Sequence, residues 1–269
     1  MKRILLTVEY DGTGYAGWQR QITGLAVQQV LEEALEKACG HPVTVTGASR
    51  TDAGVHALGQ MVHFDTPCTV PPDKFPFVLN NLLPPDIRVH AGREVPAEFH
   101  ARFLSAGKTY TYRIINTRHG SAIYRNTFAH VPVPLQPGPM LKAVASLPGT
   151  HDFAAFQASG GTARTTVRTL YEANLAFPPS SGQIILTVHG NAFLYNMVRI
   201  IAGTLIEIGL GKRGPDAFDR AFESLSRLDL GMTAPARGLE LTRVHYDPEA
   251  FIHPAALRWH NEEVPPCSD

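Results

Sequence analysis

Cysteine is scarce in this chain. Cys39, Cys68 and Cys267 are the three among 269 residues, far apart and without a C-x-x-C spacing. That excludes a disulfide framework and leaves no thiolate zinc set. The twelve histidines contain no H-x-x-x-H or H-E-x-x-H pair, so a helical metal site is not indicated either. Long apolar runs are also missing. The best candidate, Ala192 to Leu210, is interrupted by Arg199 and Glu207 and reads as a buried helix, not a membrane span. The amino terminus has too short an apolar stretch for a signal-peptide core. No membrane partner is expected, and the expected location is cytoplasmic. Finally, net charge is absent: 24 Lys and Arg balance 24 Asp and Glu. Taken alone, that speaks against a polyanionic partner.

The distribution of the charges says otherwise. From Arg102 to Arg168 there are eight basic residues (Arg102, Lys108, Arg113, Arg118, Arg125, Lys142, Arg164, Arg168) against one acid, Asp152. Residues 1–105 hold nine basic and eleven acidic side chains, and the stretch from Asp247 holds one and five. A basic middle between mildly acidic ends is an electrostatic footprint for nucleic acid. With 44% apolar and 18% charged residues, the composition is that of a globular protein with room for one large or two moderate cores.

Hydrophobic periodicity organises the chain. Arg3 to Tyr10 reads as a strand and Asp11 to Gly24 as a glycine-bearing loop. Ala26 to Ala38 is a helix with Val27, Val30, Leu31, Ala34, Leu35 and Ala38 on one face and Gly40 as its stop. Strands are expected over Pro42 to Thr46, Leu58 to Asp65 and Ile87 to Val95, with a short helix from Phe75 to Leu82. Lys108 to Asn116 alternates Tyr110, Tyr112 and Ile114 with Thr109, Thr111 and Arg113, the clearest strand pattern of the chain. Further strands are expected at Thr127 to Val133, Thr166 to Ala176, Gln183 to His189 and Leu239 to Tyr246. Helices are expected at Gly138 to Leu147, Ala192 to Ile208 and Pro215 to Ser226. Hairpin-like spacings outnumber βαβ units, which argues for α+β with antiparallel sheets. The stretch 247–269, with four prolines and little periodicity, is expected to be partly disordered.

Two loops invite a chemical reading. Gly12-Thr13-Gly14-Tyr15-Ala16-Gly17 fits G-x-G-x-x-G after a strand. A dinucleotide site, however, needs the helix to begin inside the motif and an acid at the end of the next strand. Here Trp18 to Gln21 intervene and no such acid exists. The second loop, Ser49-Arg50-Thr51-Asp52-Ala53-Gly54-Val55-His56, sets one carboxylate between an arginine and a glycine turn. A carboxylate displayed that way beside a fixed cation stays ionised, which suits a nucleophile or a base. Arg199 offers an independent pointer. It lies in the most apolar helix, and Glu207 is too far along that helix to neutralise it locally. A buried guanidinium calls for an acid from elsewhere, and Asp52 is the natural one.

Three separated motifs then converge. Tyr10-Asp11-Gly12-Thr13 continuing to Gly17-Trp18-Gln19-Arg20-Gln21, Arg50-Thr51-Asp52-Ala53-Gly54-Val55-His56-Ala57, and Asn191 to Arg199 (N-A-F-L-Y-N-M-V-R) closely resemble the tRNA pseudouridine synthase A family. Phe99-His100-Ala101-Arg102-Phe103 and Lys108 to Arg113 fit the same pattern, and the resemblance runs from about Ile4 to Tyr246. It implies isomerisation of uridine to pseudouridine in the anticodon stem-loop of tRNA, at positions 38, 39 and 40. It also implies a homodimer working without metal or organic cofactor. By the same resemblance Asp52 is the nucleophile, Arg199 pairs with it, Tyr110 packs against the target base, and Arg50 helps hold RNA or fills the gap left by the flipped base. Two departures stand out: Ala26 where the family often has a helix-capping Ser, and a longer stretch after Tyr246.

The expected architecture is therefore α+β: two α/β-sandwich-like domains with largely antiparallel sheets and an active-site cleft between them. The amino-terminal domain, 1–105, carries the Asp52 loop; the second domain is 106–246, and 247–269 forms a tail. A non-catalytic RNA-binding module would use the basic middle and the tyrosine strand but has no need of an Asp–Arg pair. An aspartate-dependent nucleoside hydrolase would release free base. Attack at uracil C6 and attack at ribose C1′ are both compatible with these residues.

Overall fold

The computed structural model describes residues 1–254. Among them are ten strands and five α-helices, an α+β fold. The chain divides into two compact units: Met1–Ala106 together with the chain from Arg243, and Gly107–Thr242.

In the first unit, β1 (Lys2–Tyr10) is flanked by β3 (His56–Thr66) and β4 (Ile87–Val95), both antiparallel to it; Ile4 lies opposite Phe64 on one side and Glu94 on the other. Ile4, Leu5 and Leu6 are all buried, because β1 has a neighbour on each edge and cover on both faces. Helix α1 (Val27–Cys39) buries Val27, Leu31, Ala34 and Leu35, one face of a 3.6-residue period. It stops at Gly40, whose φ of 76° is left-handed and whose N–H returns to Glu36. Ala26 stands at its start and makes no side-chain cap bond. Helix α2 (Phe75–Asn80) plugs Phe75 and Leu79 into the core.

The segment 42–46 departs from expectation. Only Thr46 and Gly47 form a strand, β2, on the edge of β3. Val43 and Val45 are buried as the alternation requires, but the backbone is satisfied by side chains of α1. Glu32 accepts from the Val45 N–H at 3.1 Å, and Gln28 donates to the Val45 carbonyl at 3.3 Å. A period of two records which side chains face the core and not what satisfies the backbone.

In the second unit, β5 (Ser105–Ile115), β9 (Gln183–Gly190), β8 (Val167–Ala176) and β7 (Gly149–Asp152) lie side by side, each pair antiparallel. The short β6 (Ala129–His130) runs parallel to β5. The strand expected over 127–133 shrinks to these two residues for the same reason as before: the Asn116 amide donates to the carbonyls of Val131 and Val133, each at 2.8 Å. β7 is not anticipated by the sequence pattern, since of its four residues GTHD only Thr150 favours a strand. Helix α3 (Pro137–Val144) starts on a proline, and α5 (Ala217–Ser224) ends at left-handed Leu225. Helix α4 (Met197–Gly209) begins five residues later than the periodicity predicts. The reason is local: Asn196 adopts φ 62°, ψ 7°, which no right-handed helix can contain. The last strand, β10 (Leu239–Tyr246), carries the chain back toward the first unit.

Part of the expected tail is folded. Asp247 caps a 3-10 turn, Pro248–Phe251, and Phe251 stacks on Phe99 at 5.4 Å with the Arg93 guanidinium 3.6 Å over its ring. The rest of that tail, 255–269, lies outside the described residues.

Candidate active site

The Asp52 loop is held by both backbone and side-chain contacts. Its turn is closed by the Val55 N–H on the Asp52 carbonyl at 3.1 Å, with Gly54 at φ 75°. At its stem, fully buried Gln60 bonds both backbone groups of Ser49, donating to the carbonyl at 2.7 Å and accepting from the N–H at 3.2 Å. Thr51 is buried and shares a 2.7 Å hydrogen bond with the Tyr10 hydroxyl. Tyr10 in turn stacks on Trp18. The Trp18 N–H donates to the Thr51 carbonyl at 3.0 Å, and the Gly54 N–H to the Tyr15 carbonyl at 3.3 Å. Asp52 itself is half-buried, and Ala53 beside it and Arg50 are exposed.

This geometry explains the glycines that imitate a dinucleotide motif. A Cβ on Gly17, which has φ 100°, would lie 2.6 Å from the Thr51 carbonyl oxygen; one on Gly12 would lie 2.0 Å from that of Val55. The two loops touch main chain to main chain, which only glycine allows. The His56 ring completes the seam by accepting the Gly12 N–H on Nδ1 at 3.1 Å. Next to it, Asp11 is partly desolvated, which would raise its pKa, but hydrogen bonds from the Thr13 hydroxyl and N–H oppose this and its pKa lies below the usual carboxylate range.

The F-H-A-R-F stretch is held by two imidazoles. His63 Nδ1 accepts the Ala101 N–H at 3.1 Å, and His100 Nδ1 accepts those of Arg102 and Phe103 at 3.2 Å. Burial, reinforced by nearby cationic groups, pushes His63 down to about 3 and His100 to about 4. Both rings are therefore neutral acceptors at neutral pH.

The second unit carries Tyr110 and Arg199. Tyr110 on β5 is buried opposite Val188, its ring edge-on to Phe193 at 5.0 Å. Arg199 is half-buried in α4 among buried Met197, Val198, Ile200, Ile201 and Ala202. Its Nε donates to the Ala234 carbonyl at 2.8 Å and one terminal nitrogen donates to the Asn196 amide oxygen at 2.7 Å; the Ala234 N–H returns to the Arg199 carbonyl at 3.0 Å. Glu207 is engaged elsewhere. It takes Arg213 at 2.6 Å and the Met232 N–H at 2.9 Å, which together outweigh its burial and keep it below the usual carboxylate range.

The segment 230–238 escaped the sequence reading. It lies along α4, with Gly231 bonded to Thr204 at 2.9 Å, and Gly203 leaves room that a Cβ would lose by meeting the Met232 carbonyl at 1.7 Å. The Tyr112 hydroxyl donates to the Pro235 carbonyl at 2.8 Å. Burial pushes that phenol's pKa up, while the positive charges of Arg199 and Arg237 oppose the shift. The available signal was Gly203, a helix-weakening residue in the most apolar helix, which marks a close approach. Of the basic residues, Arg113 is paired with Glu240 at 2.9 Å, whereas Arg118, Arg125 and Arg164 are exposed. Among the described residues, no three His, Cys, Asp or Glu side chains gather as metal ligands, and no helix is long and apolar enough to cross a membrane.

Comparison with known proteins decides the family. A family model described as tRNA pseudouridine synthase matches residues 6–104 and 143–247. The chain belongs to the tRNA pseudouridine synthase family. A relative from Ruminiclostridium cellulolyticum named tRNA pseudouridine synthase A is 50% identical over 246 residues, covering 91% of this chain and 100% of its own. A Clostridium tetani protein, tRNA pseudouridine synthase A 2, is 46% identical over 248 residues, covering 91% of this chain and 99% of its own. The two stretches matched by the synthase model contain Asp52 and Arg199, and Tyr110 falls in the interval between them.

Proposed function

We propose that this pseudouridine synthase isomerises uridine in the anticodon stem-loop of tRNA, at positions 38, 39 and 40, with Asp52 as the nucleophile. The observation that carries this reading is the Asp52 loop: a single carboxylate on a turn clamped at Ser49, Thr51 and Gly54. Rigid presentation of a reacting group is what converts binding into rate. The reaction needs no co-reactant. The C1′–N1 bond breaks, the base turns, a C1′–C5 bond forms, C5 gives up its proton and N1 takes one. Asp52 adds transiently to C6 of the base or to C1′ of the sugar, and both routes need an ionised carboxylate.

Arg199 serves as the cation that keeps Asp52 ionised. Tyr110 packs against the uracil once it has left its stack, replacing part of the lost stacking. Arg50, exposed beside the nucleophile, holds the RNA or fills the gap left by the flipped base. Arg118, Arg125 and Arg164 contribute phosphate contacts; Arg113 is left out of that set because Glu240 takes its charge. No metal or organic cofactor takes part, the protein works as a homodimer, and its place is the cytoplasm with its substrate.

The test is to incubate the protein with unmodified tRNA and map pseudouridine before and after. Conversion at 38 to 40 that is lost in Asp52→Asn supports the reading. Binding without conversion indicates an RNA-binding module, and release of free uracil indicates a hydrolase.

A further inference from the structure

We infer that Asn196 is a positioning residue for Arg199: it aims the guanidinium without touching substrate. The inference rests on the role proposed for Arg199 above.

Asn196 stands at the amino-terminal cap of α4, yet its side chain makes no capping bond. Capping is the usual reason for asparagine there. Its left-handed backbone would be met more easily by glycine. Capping does not explain the amide, and the left-handed backbone, which asparagine tolerates, does not require it. What the amide does is accept, at 2.7 Å, a hydrogen bond from Arg199 one turn along.

Another acceptor on Arg199 is the Ala234 carbonyl at 2.8 Å, and its position is fixed. The Ala234 N–H returns to the Arg199 carbonyl, Met232 is tied to Glu207, Gly231 is tied to Thr204, and Gly203 permits the approach. A planar guanidinium held at two nitrogens, by the side-chain oxygen one turn back and by an anchored backbone oxygen, has its orientation set, and with it the direction in which its charge acts. The carbonyl cannot be removed by substitution. Asn196 can.

Two variants separate aiming from folding. Asn196→Gly deletes the acceptor while keeping, and easing, the left-handed conformation. Asn196→Asp keeps the acceptor and tolerates that conformation, but sets a negative charge against Arg199. In Asn196→Gly, kcat on tRNA is expected to fall on the order of tenfold, with KM within about twofold and the melting temperature unchanged, since phosphate contacts carry most of the affinity. In both variants the acid limb of the kcat–pH profile is expected to move to higher pH. The sign follows from the charge: a carboxylate whose cation is misdirected or partly neutralised protonates more readily, so a higher pH is needed to ionise it.

Arg199→Met is the reference. If it is inactive while Asn196→Gly keeps wild-type kcat and acid limb, the positioning role is refuted and the proposed function stands. If Asn196→Gly lowers the melting temperature and leaves the pH profile in place, the role is structural and the inference is likewise refuted. If Arg199→Met itself keeps full activity, the assignment of Arg199 falls, and the inference falls with it.

Discussion

Substituting one methyl group at Gly17 should disable chemistry from a position that never meets the substrate. In Gly17→Ala the added Cβ would lie 2.6 Å from the Thr51 carbonyl oxygen and 3.1 Å from the Asp52 carbonyl carbon. Ordinary contact begins at about 3.4 Å, so the two backbones must part by about 0.8 Å, and neither is a flexible side chain. A displacement of that order at a reacting group can cost about a hundredfold in rate. Alanine at φ 100° adds backbone strain of about 1 to 3 kcal/mol, which urea unfolding will register. Gly14→Ala is the control, because a Cβ there meets nothing within 4 Å. The assay is single-turnover conversion of tRNA by both variants. If Gly17→Ala turns over at the wild-type rate with unchanged stability, the glycine loop is not the scaffold of the Asp52 turn.

Two further outcomes are expected. Folding stability should fall as pH drops from about 6.5 toward 3, because the unfolded chain protonates at the ordinary histidine value while buried His63 stays neutral down to about 3. The slope from this group is at most about 1.4 kcal/mol per pH unit, and His63→Gln should flatten it; an unchanged slope in urea titrations across that range contradicts the assignment. tRNA affinity should fall with salt at a log–log slope of about −0.7 to −0.9 per phosphate contact. Reversing Arg118 and Arg164 should reduce that slope and weaken all tRNAs alike, whereas an affinity flat from low to physiological salt refutes the phosphate role.

Long periodic elements were legible in the sequence. β4 and β10 begin and end where the alternation does, and α1 is one residue off at each end. What escaped was structure that satisfies its backbone with side chains from elsewhere. Val45 turns to Gln28 and Glu32, and Val131 and Val133 turn to Asn116; no hydrophobic pattern encodes such a choice. The start of α4 escaped because one left-handed residue, Asn196, overrides an unbroken apolar run. At the site, the Asp52 turn was legible from its own residues. The clasp around it shares its glycine pattern with a dinucleotide motif, because glycine records a close approach without naming what approaches. The Gly231 to Ala234 segment was invisible for the opposite reason: its contacts to α4 are mostly backbone groups, which every sequence has.

The central claim is that the Asp52 carboxylate carries the chemistry. Asp52→Asn keeps the size of the side chain and one acceptor oxygen, and removes its charge and nucleophilicity. Purified from a host without the endogenous enzyme, it should bind tRNA within about tenfold of wild type, roughly 1.4 kcal/mol, and form no pseudouridine above background. Substantial turnover by that variant would show that another residue is the nucleophile.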